Sequence, residues 1–365
     1  MDGYFLKNFT RRDFLGNTAK LCFLAGMSAI FLNCPETESS SKETKVELEK
    51  PGKTGPDFAP AYLRLHKTGE LAERAAKLWA MMESCRLCPR KCEENRLAGK
   101  SGTCRAPGVR LIVSGYQAHF GEERPLVGTG GSGTVFFSHC NLRCVFCQNW
   151  TISHLGRGSE TNINGLAAMM LRLQENGCHN INLVTPTHYS PHIFKALEVA
   201  AGKGLRLPIA YNSSGWERLE ILALLDGVVD IYLPDFKYWD GALAAKFSAG
   251  AESYPEDTRK AILEMNRQVG VAKLTRQGLI QRGLMIRHLV MPNNTGGSEK
   301  IMEWIAENLP KDTYVNIMAQ YAPAHRAYDY PELSRRITGR EYRQVVQRAK
   351  DLGLKNLDVQ GSLWL

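Results

Sequence analysis

From residue 134 onward the chain repeats one pattern, a short apolar run followed by a longer stretch with helical periodicity. The runs fall at 135–137, 181–184, 207–212, 229–233, 285–291 and 314–318, and helical-period stretches at 165–175, 191–201, 218–225, 258–269 and 299–308 lie between them. Such alternation restricts the fold to parallel strands joined by helical crossovers, because parallel neighbours cannot be linked by a tight hairpin. Six units predict an α/β core, either a partial (β/α)6 TIM-like barrel or a doubly wound open sheet, and periodicity alone leaves both open. In either fold ligands gather at the carboxyl ends of the strands. The candidates there are Thr185-Pro186-Thr187-His188 after the second run and Asn212, Ser213 and Ser214 after the third. Asp235 and Lys237 follow the fourth, and Gln320 with His325 the sixth.

The chain has 365 residues, 44% hydrophobic and 23% charged, which permits a sizeable core and excludes collagen-like, wholly disordered and polytopic membrane classes. Residues 1–34 are expected to be a leader or membrane anchor: Thr10-Arg11-Arg12-Asp13-Phe14-Leu15 precedes an uncharged apolar stretch from 21 to 32, too short for an ordinary spanning helix. The leader resembles a twin-arginine export signal, which implies the periplasm or the outer face of a membrane; a cytoplasmic location is the alternative. Residues 35–60, rich in Ser, Glu, Lys, Thr and Pro, form a tether with too little apolar surface to fold. Residues 61–125 combine a helix, with Leu71, Ala75, Leu78, Trp79 and Met82 on one face, and a cysteine-rich metal-binding segment. The core is expected over 126–330, with a closing helix and strand over 331–365. The glycine-rich stretches Gly121-Glu122-Glu123-Arg124-Pro125 and Gly130-Gly131-Ser132-Gly133-Thr134 read as tight turns entering the sheet, since no G-x4-G-K-[ST] phosphate loop is present.

Seven of the ten cysteines lie between Cys85 and Cys147. Cys140-Asn-Leu-Arg-Cys144-Val-Phe-Cys147 sets three thiols on one loop directly after the first apolar run. Three thiolates can hold three irons of a [4Fe-4S] cube and leave the fourth iron open, which is how a metal site binds and activates a substrate. Structural zinc takes four ligands, and no further cysteine follows closely to complete the set. His139 and His154 flank the loop. The second cluster, Cys85, Cys88, Cys92 and Cys104, has enough thiols for a closed tetrahedral site, either zinc or an auxiliary iron-sulfur cluster, with a disulfide pair as the bland alternative. Cys178 reads as a small buried apolar residue.

The C-x3-C-x2-C spacing resembles the signature of the radical S-adenosylmethionine (radical SAM) superfamily. Cys88-Pro-Arg-x-Cys92 with Cys104, the Gly-Ser-Gly-Thr before the first strand, Cys147-Gln-Asn149 and Thr185-Pro-Thr-His188 resemble the subgroup related to pyruvate formate-lyase activating enzyme. The resemblance covers about residue 62 to the C-terminus. It implies the partial barrel, a [4Fe-4S] cluster on Cys140, Cys144 and Cys147, and S-adenosylmethionine chelated at the open iron and split to a 5'-deoxyadenosyl radical that abstracts hydrogen. It also implies that Phe146 lies near the adenine. The Gly-Gly-Glu that many activating enzymes carry after the second strand is absent, which passes its role to Thr187 and backbone carbonyls; Asn212, Asp235 and Lys237 are the other cofactor-binding candidates.

The expected activity is thus that of a radical SAM oxidoreductase of unknown substrate, with activation of a glycyl-radical partner protein as one form. An exported iron-sulfur electron carrier on the same fold is the alternative. The implied partner is a low-potential donor of flavodoxin or ferredoxin type. Despite a net charge of +9 no nucleic acid is expected, because the cations are dispersed and no aromatic-basic recognition motif appears.

Overall fold

In a computed structural model, which describes residues 58–359, each of the six apolar runs forms a strand of one sheet. The leader over 1–34 and the tether up to residue 57 lie outside the described residues. The strands are β1 (Leu111–His119), β2 (Ser132–Phe137), β3 (Ser159–Thr161), β4 (Ile181–Val184), β5 (Ile209–Ser213), β6 (Ile231–Pro234), β7 (Lys273–Leu274), β8 (Ile280–Leu289), β9 (Tyr314–Met318) and β10 (Asn356–Val359). β2, β4, β5, β6, β8, β9 and β10 are neighbours in chain order and every pair is parallel. Helices Ile163–Glu175, Ser190–Gly202, Leu219–Leu225, Gly241–Phe247 with Tyr254–Val269, Ser298–Asn308 and Gly339–Asp351 make the crossovers. A doubly wound sheet reverses its strand order at a switch point; this order never reverses, so the doubly wound alternative is excluded and the path is barrel-like and singly wound.

Two strands at the first edge of the sheet went unforeseen. β1 pairs antiparallel with β2, and β3 pairs antiparallel with β1, extending the sheet at its first edge. The outer half of β1, Gly-Tyr-Gln-Ala-His, is only partly covered, so it lacks the apolar continuity that marks the parallel strands. Gly130 and Gly133 follow from close packing: a Cβ on Gly130 would stand 2.0 Å from the Gly177 carbonyl oxygen, and one on Gly133 2.5 Å from that of Asn180.

The sheet has two unlike faces. Ile209, Tyr211, Tyr232, Ile286, Val315 and Ile317 join the main core beneath the helices. Their alternating neighbours Ala210, Ile231, Leu233, Met285 and Tyr314 form a separate cluster around Leu126, which the short helix Arg124–Val127 carries onto the inner face. Continuing that two-residue period toward the carboxyl ends leads to Asn212, Asp235, Arg287 and Asn316. Hydrophobic packing thus fills the bottom of the inner face, and polar groups occupy its mouth.

The cysteine-rich segment is part of the same core. The helix Glu70–Ala80 buries Leu71, Ala75 and Leu78, Met82 lies just beyond it, and Leu87, Cys85, Cys104 and Ala106 belong to the main cluster. Asp230, buried at the start of β6, accepts from Ala61 N (3.0 Å) and Ile209 N (3.1 Å) and so fastens the first described helix to the amino ends of the strands.

Candidate functional site

The three-cysteine loop leaves the carboxyl end of β2 through two residues in the left-handed region, His139 (φ 70°) and Arg143 (φ 56°). Non-glycine residues there are strained and persist only when their surroundings hold them. Here Leu142 and Asn141 are fully buried, Val145 N donates to Phe247 O, and Arg326 N donates to Val145 O. Arg90 donates to the carbonyls of Asn141 (3.0 Å), Leu142 (3.3 Å) and Ser248 (2.9 Å), with its guanidinium 4.7 Å above the Trp216 ring. Each sulfur has a polar neighbour: Leu142 N donates to Cys140 Sγ (3.4 Å), Ser248 Oγ donates to Cys144 Sγ (3.3 Å), and Ser153 Oγ is 3.1 Å from Cys147 Sγ.

All three thiols are free and within electrostatic reach of one another. Burial pushes Cys144 up to about 12 and raises Cys147, while Lys237 works in the opposite direction at both; a bound metal would deprotonate them outright. Among the described residues no three His, Cys, Asp or Glu side chains gather about a point where a single ion would sit. A mononuclear site needs about 2.3 Å from each sulfur to one ion, whereas a cube receives each thiolate on a separate iron and holds them farther apart. The donor set, three free thiols supplied with N–H and O–H neighbours on a braced loop, fits a cluster. His154 Nε2 is 3.0 Å from Cys144 O, and burial lowers both His139 and His154 to about 4, so both rings are neutral at pH 7. Phe146 is buried against Tyr321 (5.7 Å between ring centroids) and Tyr238 (6.3 Å), an aromatic wall beside the loop.

Asn212, Asp235 and Lys237 come together beside that loop through a residue the sequence did not single out. Arg287 Nε donates to Asp235 Oδ1 (3.0 Å) and Arg287 Nη2 to Asn212 Oδ1 (2.6 Å), while Lys237 Nζ donates to Asp235 Oδ2 (2.6 Å). Burial alone would raise the Asp235 carboxyl, but Arg287 and then Lys237 outweigh it and hold the group below its ordinary value. The signal for Arg287 was present, since it is a cation at the inward register of an apolar strand, between Met285 and Leu289.

Thr187 sits elsewhere. It is 1% exposed, in a short 3-10 turn, and its hydroxyl donates to Glu217 Oε1 (2.6 Å). Burial pushes Glu217 up to about 8, against the pull of Thr187 and Ser213, so this carboxyl is largely protonated at neutral pH. Thr185, at the end of β4, has φ 60°. Ser213 Oγ accepts from Gly215 N (3.1 Å), which is a turn role, and Gln320 O accepts from Gln148 Nε2 (3.0 Å), tying the sixth strand end to the cysteine loop. His325 stacks on Trp150, 5.3 Å between ring centroids.

The four-cysteine segment lies against the loop just described. Arg90 stands within electrostatic reach of Cys88 and Cys104 on one side and Cys140 and Cys144 on the other. Cys85 and Cys92 share a hydrogen bond that raises Cys85 and lowers Cys92 to about 5, and burial pushes Cys88 up to about 12. A Cβ on Gly102 would meet Cys92 Sγ at 2.3 Å, so only glycine lets that sulfur lie where it does. Ala106 N donates to Cys104 Sγ (3.5 Å). Arg96 is fully buried; its Nε donates to Gly108 O (3.1 Å) and its Nη1 to His188 O (2.7 Å), which fixes the segment to the end of β4.

Fold and site together define a singly wound α/β protein with a three-cysteine loop and a partly buried Asn-Arg-Asp-Lys network at one end of its sheet. No family model matches the chain. The uncharacterized protein MJ0674 of Methanocaldococcus jannaschii is 31% identical over 283 residues, which cover 75% of this chain and 76% of that protein, and the chain belongs to the same family as MJ0674. Among solved structures, a radical SAM methyltransferase from Sphaerobacter thermophilus overlaps with a TM-score of 0.41 at 13% identity, over 81% of this chain and 91% of that one. TYW1 with a lysine-pyruvate adduct bound overlaps with a TM-score of 0.38 at 10% identity, over 60% and 72% of the two chains. Both overlaps are loose.

Proposed function

We propose that this chain is a radical SAM enzyme, with Cys140, Cys144 and Cys147 holding a [4Fe-4S] cluster. The observation that carries the reading is the cysteine loop itself: three free thiols at the carboxyl end of the first parallel strand, each with a polar neighbour, none in a disulfide. When bound, the cluster supplies an open iron and one electron for reductive cleavage of S-adenosylmethionine. The residues of the chain do the rest. Arg90 and the buried Leu142 keep the loop from shifting. Asn212, Asp235, Lys237 and Arg287 present fixed charges and amide dipoles to a zwitterionic cosubstrate, and Phe146 with Tyr238 and Tyr321 gives a dry aromatic surface for its base. Close confinement matters because a primary carbon radical abstracts hydrogen from any C–H or S–H bond within reach, so the intended bond has to be the one held nearest.

The electron donor in this reading is a flavodoxin- or ferredoxin-type protein, and activation of a glycyl-radical partner is the form of reaction that the subgroup resemblance implies. The test is anaerobic. The full chain, reconstituted with iron and sulfide and reduced with dithionite, is expected to change its electron paramagnetic resonance signal on addition of S-adenosylmethionine and to release methionine and 5'-deoxyadenosine. An unchanged signal with no release would mark an electron carrier instead.

The four-cysteine segment is proposed to hold a second metal group, and since no three donors gather about one point among the described residues, an iron-sulfur cluster suits it better than zinc. Metal analysis of the reconstituted protein distinguishes them: about eight irons for the cluster, about four irons with one zinc for zinc. About four irons and no zinc would leave the segment without metal.

A further inference from the structure

At the mouth of the sheet, beyond the Asn-Arg-Asp-Lys network, lies a cavity of about 290 Å³ lined by Gly121, Glu122, Glu123 and Arg124 on one side and by Arg287, Asn316 and Asp358, among others, on the other. The stretch 121–125, read from sequence as a turn, therefore forms one wall of a cavity. Glu123 reaches across to the ninth strand, where Asn316 Nδ2 donates to its Oε1 (2.8 Å). Both residues are more than nine-tenths buried, at 6% and 2% exposure, yet Glu123 Oε2 and Asn316 Oδ1 have no hydrogen-bond partner in the protein. Two buried acceptors without donors, on neighbours already hydrogen-bonded to each other, are costly unless a group with N–H or O–H donors completes them.

The charges around the cavity agree. Glu122, Glu123 and Asp358 contribute three carboxyl groups. Of the two guanidinium groups, that of Arg287 is committed through Nε to Asp235 and through Nη2 to Asn212, with Nη1 3.9 Å from Glu122 Oε2. Burial raises Glu123 above its ordinary value, and the opposing pull of Arg287, shared with Asp235 and Glu122, does not offset it.

We infer that this cavity is the substrate site and that it takes a small molecule bearing an ammonium group, held by Glu123 and Asn316 with Glu122 beside them. Its volume, near the lower end of ligand pockets, suits a molecule of amino-acid size. Arg287 belongs to both the cavity and the Asp235 network, which sets the ligand next to the cosubstrate side of the mouth. Binding stands on the geometry alone; only the ligand's role as substrate rests on the radical SAM reading.

Calorimetric titration of the full chain, both stripped of metal and reconstituted, tests the inference with three probes: glycinamide, N-acetylglycinamide, which lacks the ammonium, and glycolate. Glycinamide is expected to bind both forms at least about tenfold more tightly than either other probe, and Glu123→Gln to weaken it by about tenfold or more. Glu122→Gln, expected to weaken it in the same direction, serves where Glu123→Gln does not fold. Equal affinity for N-acetylglycinamide or glycolate, an affinity for glycinamide unchanged in the variants, or no heat from glycinamide at millimolar concentration would overturn the assignment. Because the metal-free protein gives the same readout, failure of this site and failure of S-adenosylmethionine cleavage are separate results.

Discussion

Replacing Cys144 by alanine is expected to abolish release of 5'-deoxyadenosine, by about a thousandfold or more, while leaving the protein folded. Cys144 is the most enclosed of the three thiols on its loop, 7% exposed and in contact with Ser248 Oγ. Without it the loop offers two thiolates, too few to retain a four-iron cube in a defined position, so the loss falls on chemistry and on iron content together. The cost to folding is small by comparison, about 1 kcal/mol for one small buried side chain, because Arg90 and the packing of Leu142 still hold the loop. Chromatography of the quenched reaction, iron analysis and circular dichroism on the same sample check all three. Turnover equal to that of the unaltered protein would end the proposed chemistry, and a collapsed spectrum would show that the loop is needed for folding instead.

Arg287→Met is expected to cost about 2–4 kcal/mol of stability at pH 7, the largest effect among single changes at the mouth. The substitution leaves Asp235 largely buried with Lys237 as its one ionic partner and removes the donor from Asn212 Oδ1. The pH dependence fixes the cause. Asp235 has a folded-state pKa held below its unfolded value near 3.9, so the stability it contributes is complete above that value and is lost as pH falls through the folded pKa. In the variant the carboxylate has lost its stronger partner, its pKa rises, and protonation relieves the unpaired charge. The gap between the two proteins in urea unfolding should therefore be widest near neutrality and narrow below about pH 4. Adding Asp235→Asn to the variant should recover part of the loss; no recovery would assign the effect to packing of the arginine stem.

Much of the scaffold was legible in the sequence because parallel strands buried on both faces leave near-continuous apolar runs, and each of the six became a strand. The order of those strands was not legible, since alternation is common to singly and doubly wound sheets, and only pairing such as β6 with β8 resolves it. At the site, the cysteines, Asn212, Asp235 and Lys237 could be read locally, from spacing or from position after a strand. Arg287 carried only a partial local signal, a cation at the inward register of its strand, and Glu123 carried none. Arg287 lies inside a run that looks apolar, and its partners Asn212 and Asp235 stand 75 and 52 residues away. Glu123 belongs to the mouth only because Asn316, 193 residues later, turns the same face inward. Thr187 also follows a strand, as a ligand-binding residue would, and it lies in a short turn with its hydroxyl donating to Glu217.

The fastening of Ala61 to Asp230 has a consequence for whatever is attached upstream. Asp230 marks the amino ends of β5 and β6, whereas the three-cysteine loop, Asn212, Asp235 and Lys237 stand at the carboxyl ends of their strands. A load applied at Ala61 would therefore be carried by the amino ends of the strands, at the other end of the sheet from the cysteine loop.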